Sequence, residues 1–135
     1  MVKTYGHIGL GAMPMRGETG NEAIQFRNSL QAAIMNNSRL KIPVSFHQET
    51  LHGAMAGVIF PMPVSQGATW NVQLVEQIAS IIALEAWATG TDRGFSPELN
   101  VPTDPRFGRL EENFGEDPVL VRYLIDYDIL GGKGK

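Results

Sequence analysis

The sequence predicts an α/β fold in which three strand–helix units place their strands in parallel. Short apolar runs typical of buried strands alternate with longer segments whose apolar residues recur at helical spacing. Parallel neighbours require a connection that returns the chain to the same end of the sheet, and a helix after each strand provides it. A closed (β/α)8 barrel takes about 250 residues. A chain of 135 residues is therefore expected to form a small open sheet or a partial barrel of the TIM type.

The three strands are predicted at short apolar segments. The first, residues 5–13, is glycine-rich and ends at Pro14 and a turn. The second, residues 42–46, is rich in strand-forming residues and is entered through a proline. A third strand is predicted at residues 92–96. The second strand is followed by a long loop, residues 47–69, and loops of this length in compact domains usually have a function.

The three helices are predicted from apolar periodicity and from residues that commonly cap helices. Asn21 is the predicted N-cap of the first helix, which stops at the polar residues 36–38. Asn71 is the predicted N-cap of the second, which has the clearest period and ends at Thr89 and Gly90. The third is predicted at residues 119–130. Residues 131–135 are glycine-rich and are expected to form a frayed tail, so the chain is predicted to form one domain, residues 1–135.

Composition excludes several classes of function. The chain has 11 Lys and Arg against 14 Asp and Glu, and this net charge of −3 predicts no nucleic-acid partner. It has no cysteine, which excludes a thiolate nucleophile and a cysteine-based zinc site. Phosphate-binding glycine motifs and the Gly-x-Ser-x-Gly elbow are absent from the sequence. No apolar run has the length of a secretory signal or a membrane span, so no membrane partner is predicted and the compartment stays open.

Two polar loops contain the candidate site residues. Loops that follow parallel strands share one edge of the sheet, and functional groups collect there. Glu49 lies in the first loop and Arg109 in the second. A carboxylate beside a guanidinium binds a vicinal diol, because the carboxylate accepts hydroxyl protons while the guanidinium donates to neighbouring oxygens. The alternative is that these residues belong to turns and to solvated ion pairs without a ligand.

A metal site is the second alternative for the first loop. His47, Glu49 and His52 are acceptable ligands within six residues, but their spacing is not a known metal signature. The preceding strand-like run also argues against a helical Glu-x-x-His pair. We therefore predict no metal, and we interpret His7, alone in a glycine-rich segment, as structural.

Several segments resemble a known family. RLKIPVSFHQETLHG, GATWNVQLVEQIA, SPELNV and DPRFGRLEENFGEDP occur in the order and at the separations of the N-terminal barrel domain of glycoside hydrolase family 3. The resemblance covers residues 38–121 and extends more weakly back to residue 8. The most specific part is the segment DPR[WF]GR followed by Gly-Glu-Asp-Pro.

The resemblance implies a retaining, exo-acting enzyme that hydrolyses β-glucosides or β-xylosides without a cofactor. Such enzymes use a nucleophilic aspartate and an acid/base carboxylate about 5 Å apart. Neither of the corresponding family motifs occurs in these 135 residues. The chain is therefore expected to be an inactive fragment of the barrel domain, with a β-linked oligosaccharide or glycoside as its ligand.

The resemblance also implies roles for individual residues. Glu49 matches an acidic position that binds sugar hydroxyls, and Arg109 matches the sugar-binding arginine that closes the DPRWGR motif. His52, in the family's His-Gly step, is a third candidate contact, although shaping the loop suits it better. Phe107 replaces the usual Trp, and Asn100 stands where Asp is common.

Two functions of other classes stay open. The chain would act as a non-catalytic carbohydrate-binding module if the part of the pocket that contains Glu49 and Arg109 binds sugar by itself. It would act as a self-associating piece if open sheet edges pair with a second copy.

Overall fold

The computed structural model describes residues 7–15 and 20–132. Three parallel strands, β1 (Ala12–Pro14), β2 (Ser45–Glu49) and β3 (Arg93–Phe95), form a sheet in the order β1-β2-β3. In the register of the sheet, Ala12 lies opposite Ser45, and His47 lies opposite Arg93. The predicted α/β class with parallel strands, a partial barrel of βα units, is confirmed.

Four α-helices and one 3₁₀ helix connect and cover the strands in the described part of the chain. They are α1 (Gly20–Asn37), α2 (Pro63–Gly67), α3 (Val72–Ala88), the 3₁₀ helix (Leu110–Glu112) and α4 (Pro118–Gly132). None of the helices in these residues combines the length and the apolar character that a membrane crossing requires.

One face of the sheet is packed and the other is open. Along β2, side chains alternate between the two faces, and Phe46 and Gln48 are buried. Phe46 packs with Ile34 of α1, and Gln48 donates a hydrogen bond to the Thr91 hydroxyl (2.6 Å). On the opposite face, Glu49 is exposed. The end of β2 therefore presents a carboxylate to solvent.

Helices α3 and α4 pack against each other through a second core. Val75 of α3 meets Val121 and Leu124 of α4 together with Phe114, and all four are buried. The predicted cap of α3 is confirmed, because the Asn71 side chain accepts a hydrogen bond from the Leu74 amide (3.0 Å). This core supports the chain that runs from β3 through the 3₁₀ helix.

The predicted bounds of the first two strands were wrong. Residues 5 and 6 of the predicted first strand lie outside the described residues, and β1 includes Pro14, which was expected to end it. Proline is tolerated there because β1 is an edge strand in this sheet. β2 begins at Ser45 and continues to Glu49, so three residues assigned to the long loop belong to the strand. β3 lies inside its predicted range.

Three further predictions required correction. Asn21 is not an N-cap but lies inside α1, which begins at Gly20. The long loop contains α2, which is too short to show a helical period in the sequence. Gly131 and Gly132 belong to α4 rather than to a frayed tail, because a glycine at position 131 lets α4 approach the Glu76 carbonyl of α3 closely. Residues 133–135 lie outside the described residues.

Candidate functional site

A cleft of about 630 Å³ lies at the carboxyl ends of β2 and β3. Both strands end there, β2 at Glu49 and β3 at Phe95, and the chain after β3 forms a second wall. The residues that line the cleft are Glu49, Leu51, Gly94, Phe95, Ser96, Pro97, Glu98, Leu99, Asn100, Arg109 and Glu112. The structure thus brings Glu49 and Arg109, sixty positions apart in the sequence, to one cleft.

The Glu49 carboxylate is available to a ligand. Glu49 is the last residue of β2 and lies on the face opposite the core. Within residues 7–15 and 20–132, no side chain or backbone amide donates a hydrogen bond to it. Both of its oxygens are therefore free to accept hydroxyl protons.

Arg109 is placed by a tight turn and by one buried amide. The Phe107 amide donates to the Asp104 carbonyl (3.0 Å), and Gly108 adopts a positive φ of 51° that glycine allows without strain. Arg109 is the N-cap of the 3₁₀ helix, which begins at Leu110. Asn113, which is fully buried, donates from Nδ2 to the Arg109 carbonyl (2.9 Å). The backbone of Arg109 is therefore fixed from the protein interior.

Two carboxylates hold the Arg109 guanidinium. Nε donates to both oxygens of Glu112, at 2.9 Å each, and Nη2 donates to Glu112 Oε2 and to Glu98 Oε1, the latter at 2.6 Å. These contacts raise the pKa of Arg109, chiefly through the hydrogen bond to Glu112. The same hydrogen bond lowers the pKa of Glu112 below its usual value. Both shifts keep Arg109 and Glu112 charged at neutral pH.

A neighbouring arginine in the same segment is placed differently. Arg106 donates from Nε and Nη2 to Asp104, two residues earlier, and it is not among the residues that line the cleft. This hydrogen bond lowers the pKa of Asp104. The Arg106 side chain is 88% exposed, so its ion pair is a local surface contact.

The charge of the cleft favours a neutral, hydroxyl-rich ligand. Its ionisable side chains are three carboxylates, Glu49, Glu98 and Glu112, and one guanidinium, Arg109. This excess of acceptors suits hydroxyl donors and repels phosphate or carboxylate ligands. The partly exposed Phe95 and Leu99 add apolar surface, against which the C–H face of a ring can pack.

The other predicted candidates lie elsewhere. His52 does not line the cleft; its Nδ1 donates to the Phe60 carbonyl (2.9 Å). The His47 ring packs on Phe95, with 4.9 Å between the ring centroids. Across the described residues, no three His, Asp or Glu side chains are grouped so that they suit a metal ion.

Sequence reasoning did not single out Glu98, Glu112 or Asn113 as site residues. Glu112 is one of several acidic residues close to Arg109 in the sequence, and such clusters are more often solvated ion pairs than binding sites. Nothing in the sequence indicates that the Asn113 side chain donates to the Arg109 carbonyl. Asn100 also lines the cleft. The sequence offered one signal for it, namely that Asn stands at a position where the family commonly has Asp.

A second cavity, of about 700 Å³, lies between α3, β3 and α4. Asp128 of α4 lines it, with Asp92 and Arg93 as the other ionisable lining groups. Ser96 Oγ donates to Asp128 Oδ2 at 3.1 Å. Burial raises the pKa of Asp128 to about 6, and the Ser96 hydrogen bond opposes that rise.

The fold and the cleft together define a class of protein. Parallel βα units with a polar cleft at the carboxyl ends of their strands are the architecture of barrel enzymes, whose active sites occupy this end. The particular family follows from comparison with known proteins. Residues 4–135 match the model of the glycosyl hydrolase family 3 N-terminal domain, and the chain belongs to that family. The resemblance predicted from the motifs is confirmed.

Individual relatives agree with this assignment. A protein described as a putative β-xylosidase from Formosa agariphila is 38% identical over 114 residues, which is 83% of this chain. A β-glucosidase from Erythrobacter marinus superposes with a TM-score of 0.87 at 30% identity and covers 95% of this chain. A mutant β-glucosidase from Listeria innocua in complex with laminaribiose superposes with a TM-score of 0.81 at 32% identity, over 92% of this chain.

The chain is short by comparison with these proteins. It spans 15% of the length of the Formosa protein, 18% of the Erythrobacter chain and 16% of the Listeria chain.

Proposed function

We propose that this chain is part of a retaining, exo-acting β-glycosidase that hydrolyses β-glucosides or β-xylosides. In this proposal residues 1–135 are a fragment of the barrel domain that contributes Glu49 and Arg109 to a sugar-binding cleft. The observation that carries the proposal is that both residues line one cleft at the carboxyl ends of the strands. The names of the relatives support the substrate class, as does the laminaribiose bound to the Listeria enzyme.

The proposed binding mode follows from the chemistry of the two groups. The free Glu49 carboxylate accepts protons from two neighbouring hydroxyls of one sugar ring, and Arg109 donates to oxygens of the same ring. Phe95 offers its exposed surface to the C–H face of the ring. His52 shapes the loop through its hydrogen bond to the Phe60 carbonyl rather than contacting sugar.

The proposal places the catalytic carboxyl groups outside this chain. Retention needs one carboxylate to attack the anomeric carbon and a second carboxyl to protonate the leaving oxygen. Glu98 and Glu112 are both committed to Arg109, and the lowered pKa of Glu112 makes it a poor proton donor. Glu49 alone cannot fill both roles. The isolated chain is therefore expected to bind sugar without hydrolysing glycosides.

Sugar binding is tested with the 135-residue chain by nuclear magnetic resonance titration with glucose and with xylose. We expect weak, saturable shifts of amides after β2 and β3, and we expect Glu49→Gln and Arg109→Lys to lower the affinity about tenfold, the loss typical of one hydrogen bond to a charged group. Arg106→Lys is the matched control and should bind like wild type. Equal affinity in all four proteins would remove Glu49 and Arg109 from the site.

Hydrolysis is tested with aryl β-glucoside and aryl β-xyloside. No release of the aryl group above background is expected from the 135-residue chain. Sequencing the gene beyond the Lys135 codon addresses the parent enzyme: the proposal expects a segment that contains the nucleophilic aspartate. Steady turnover by the isolated chain would contradict the assignment of the catalytic carboxyls to other sequence.

Self-association is a second candidate function, supported by one feature of the fold. In the described residues β3 pairs only with β2, so its other edge is free, and the nearby Trp87 of α3 is 77% exposed. A free parallel edge beside apolar side chains favours pairing with a second copy. Size-exclusion chromatography over a range of concentrations measures this directly.

A further inference from the structure

The Arg109 guanidinium forms ion pairs with two carboxylates, those of Glu98 and Glu112, although one would neutralise its charge. Its side chain is 56% exposed, while the side chains of Glu98 and Glu112 are 27% and 20% exposed. Exposed ion pairs contribute little to stability, because water screens them and ordering the side chains costs entropy. Glu112 alone already neutralises the guanidinium and bonds to two of its nitrogens. The contact with Glu98 therefore invites an explanation other than stability.

The second carboxylate completes the hydrogen bonding of one edge of the guanidinium. A guanidinium has five N–H groups in a fixed plane, one on Nε and two on each Nη nitrogen. Nε is taken by Glu112, and Nη2 is shared between Glu112 and Glu98. In the described part of the chain, the two N–H groups of Nη1 have no hydrogen-bond partner. One edge of the guanidinium is thus held by protein, and the other is left for a ligand.

Glu98 also connects two separate walls of the cleft. It lies three residues after β3, eleven residues before Arg109, and both residues line the cleft. Glu112, by contrast, is three residues from Arg109 on the same 3₁₀ segment and cannot fix that segment relative to β3. The contact from Glu98 Oε1 to Arg109 Nη2 therefore sets the position of the guanidinium relative to the strand ends, where Glu49 lies.

We propose that Glu98 is a positioning residue for the sugar-binding cleft: with Glu112 it clamps the Arg109 guanidinium, so that the Nη1 edge is offered to sugar oxygens. This inference rests on the proposed function, because positioning Arg109 affects sugar binding only if Arg109 contacts the sugar. A long flexible side chain that is already ordered loses less entropy when it binds, and this favours affinity. Glu98 acts through Arg109 rather than on the reacting atoms.

The test uses the 135-residue chain with Glu98→Gln and Glu98→Ala, and with Glu111→Gln as the matched control. Glu111 is exposed, precedes Glu112 and does not line the cleft. Two quantities are measured: the rotation rate of the Arg109 guanidinium by ¹⁵N magnetic resonance without ligand, and the affinity for glucose and xylose. Backbone amide spectra show that each variant keeps the fold.

The expected result is faster guanidinium rotation and about three- to tenfold weaker sugar binding in Glu98→Ala, the factor that corresponds to ordering one long side chain. Glu98→Gln, which keeps an acceptor but not the charge, should be intermediate, and the control should match wild type. Unchanged rotation, or unchanged affinity in a wild-type chain that does bind sugar, overturns the role of Glu98. If the wild-type chain binds neither sugar, the proposed function fails and the role in sugar binding fails with it. The rotation measurement then shows separately whether Glu98 clamps Arg109.

Discussion

Asp128 is a carboxyl group that the fold removes from most of its water. The residue is 7% exposed, and in the described part of the chain its carboxylate has one hydrogen bond, from Ser96. Burial disfavours the charged form, so the pKa rises to about 6. Asp92 and Arg93, the other ionisable groups of the cavity, carry opposite charges. At neutral pH the ionised Asp128 therefore costs stability.

The sign of the pH dependence follows from the direction of this shift. An unfolded aspartate has a pKa near 3.8, so between about pH 4 and pH 6 the folded chain binds more protons than the unfolded chain. The contribution of Asp128 to the free energy of unfolding is therefore largest below about pH 4 and is lost as the pH rises to 6. Above pH 6 both states are ionised, and this contribution stays at its lower value.

We predict that Asp128→Asn raises the free energy of unfolding at pH 7 by about 1–3 kcal/mol, because the neutral amide avoids the cost of burying a charge. Near pH 4 the variant and wild type should differ little. Urea unfolding at pH 4, 5, 6 and 7 measures both effects. Asp126→Asn, on the exposed side of α4, is the control and should follow the wild-type curve. Parallel curves for Asp128→Asn and wild type would show that Asp128 does not titrate in this range.

At the scale of elements, the contact between α2 and the 3₁₀ segment depends on one glycine. Gly67 is buried in the last position of α2, and a Cβ added there would collide with the Phe114 carbonyl oxygen. Phe114 follows Asn113, whose side chain holds the Arg109 carbonyl. The packing of a five-residue helix is in this way linked to the position of the cleft arginine.

We predict that Gly67→Ala destabilises the chain by about 1–3 kcal/mol, the usual cost of overpacking a buried site. The Arg109 side-chain resonance should shift as well, because the backbone at residues 113–114 must move. Gly132→Ala is the matched control: Gly132 is also helical, but a Cβ there meets nothing within 4 Å, so alanine should be neutral or slightly stabilising. Urea unfolding and the Arg109 spectrum test both variants, and equal stability of the two would show that α2 adjusts without cost.

Local sequence predicts an element well when the element is defined by its own capping residues and apolar spacing. α3 has an N-cap and a long apolar period, and its start after Asn71 was predicted correctly. β2 was placed too early because Gln48 is polar, and only its hydrogen bonds to Thr91 and Met55 make it a buried strand residue. The glycine-rich composition predicted a tail at Gly131, whereas this glycine allows α4 to pack closely against α3. Burial and contact between distant segments were not visible in these patterns.

In the candidate site, too, some residues could be predicted from the sequence, but the contacts between distant segments could not. Strand-end logic and the family resemblance both selected Glu49 and Arg109, and the structure brings these residues to one cleft. The clamp by Glu98 and Glu112 was not predicted. Its geometry depends on how the chain between β3 and the 3₁₀ helix turns back, and residue spacing does not encode the direction of that turn.

An apolar surface lies beside the edge of β3 that pairs with no other strand in residues 7–15 and 20–132. Trp87 is 77% exposed and Leu84 is 61% exposed. Trp87 and Leu84 line the second cavity, and Gly94 of β3 lines it too. An apolar patch that borders an unpaired strand is a typical association surface, since a partner gains backbone hydrogen bonds and buries aromatic area together.

We predict that the wild-type chain forms concentration-dependent dimers through this surface, and that Trp87→Arg raises the dissociation constant at least about tenfold, because a central tryptophan usually dominates such a contact. Sedimentation velocity over a range of concentrations measures the effect.

Trp70→Arg is the matched control: Trp70 is 71% exposed but does not line the cavity, so its loss should leave the dimer intact. A wild-type chain that stays monomeric at every concentration would refute the association, whereas equal weakening by both variants would move the contact away from β3. Sugar affinity measured on the monomeric Trp87→Arg chain should equal that of wild type, because the cleft at Glu49 and the surface at Trp87 share only Gly94 and Ser96 among their lining residues.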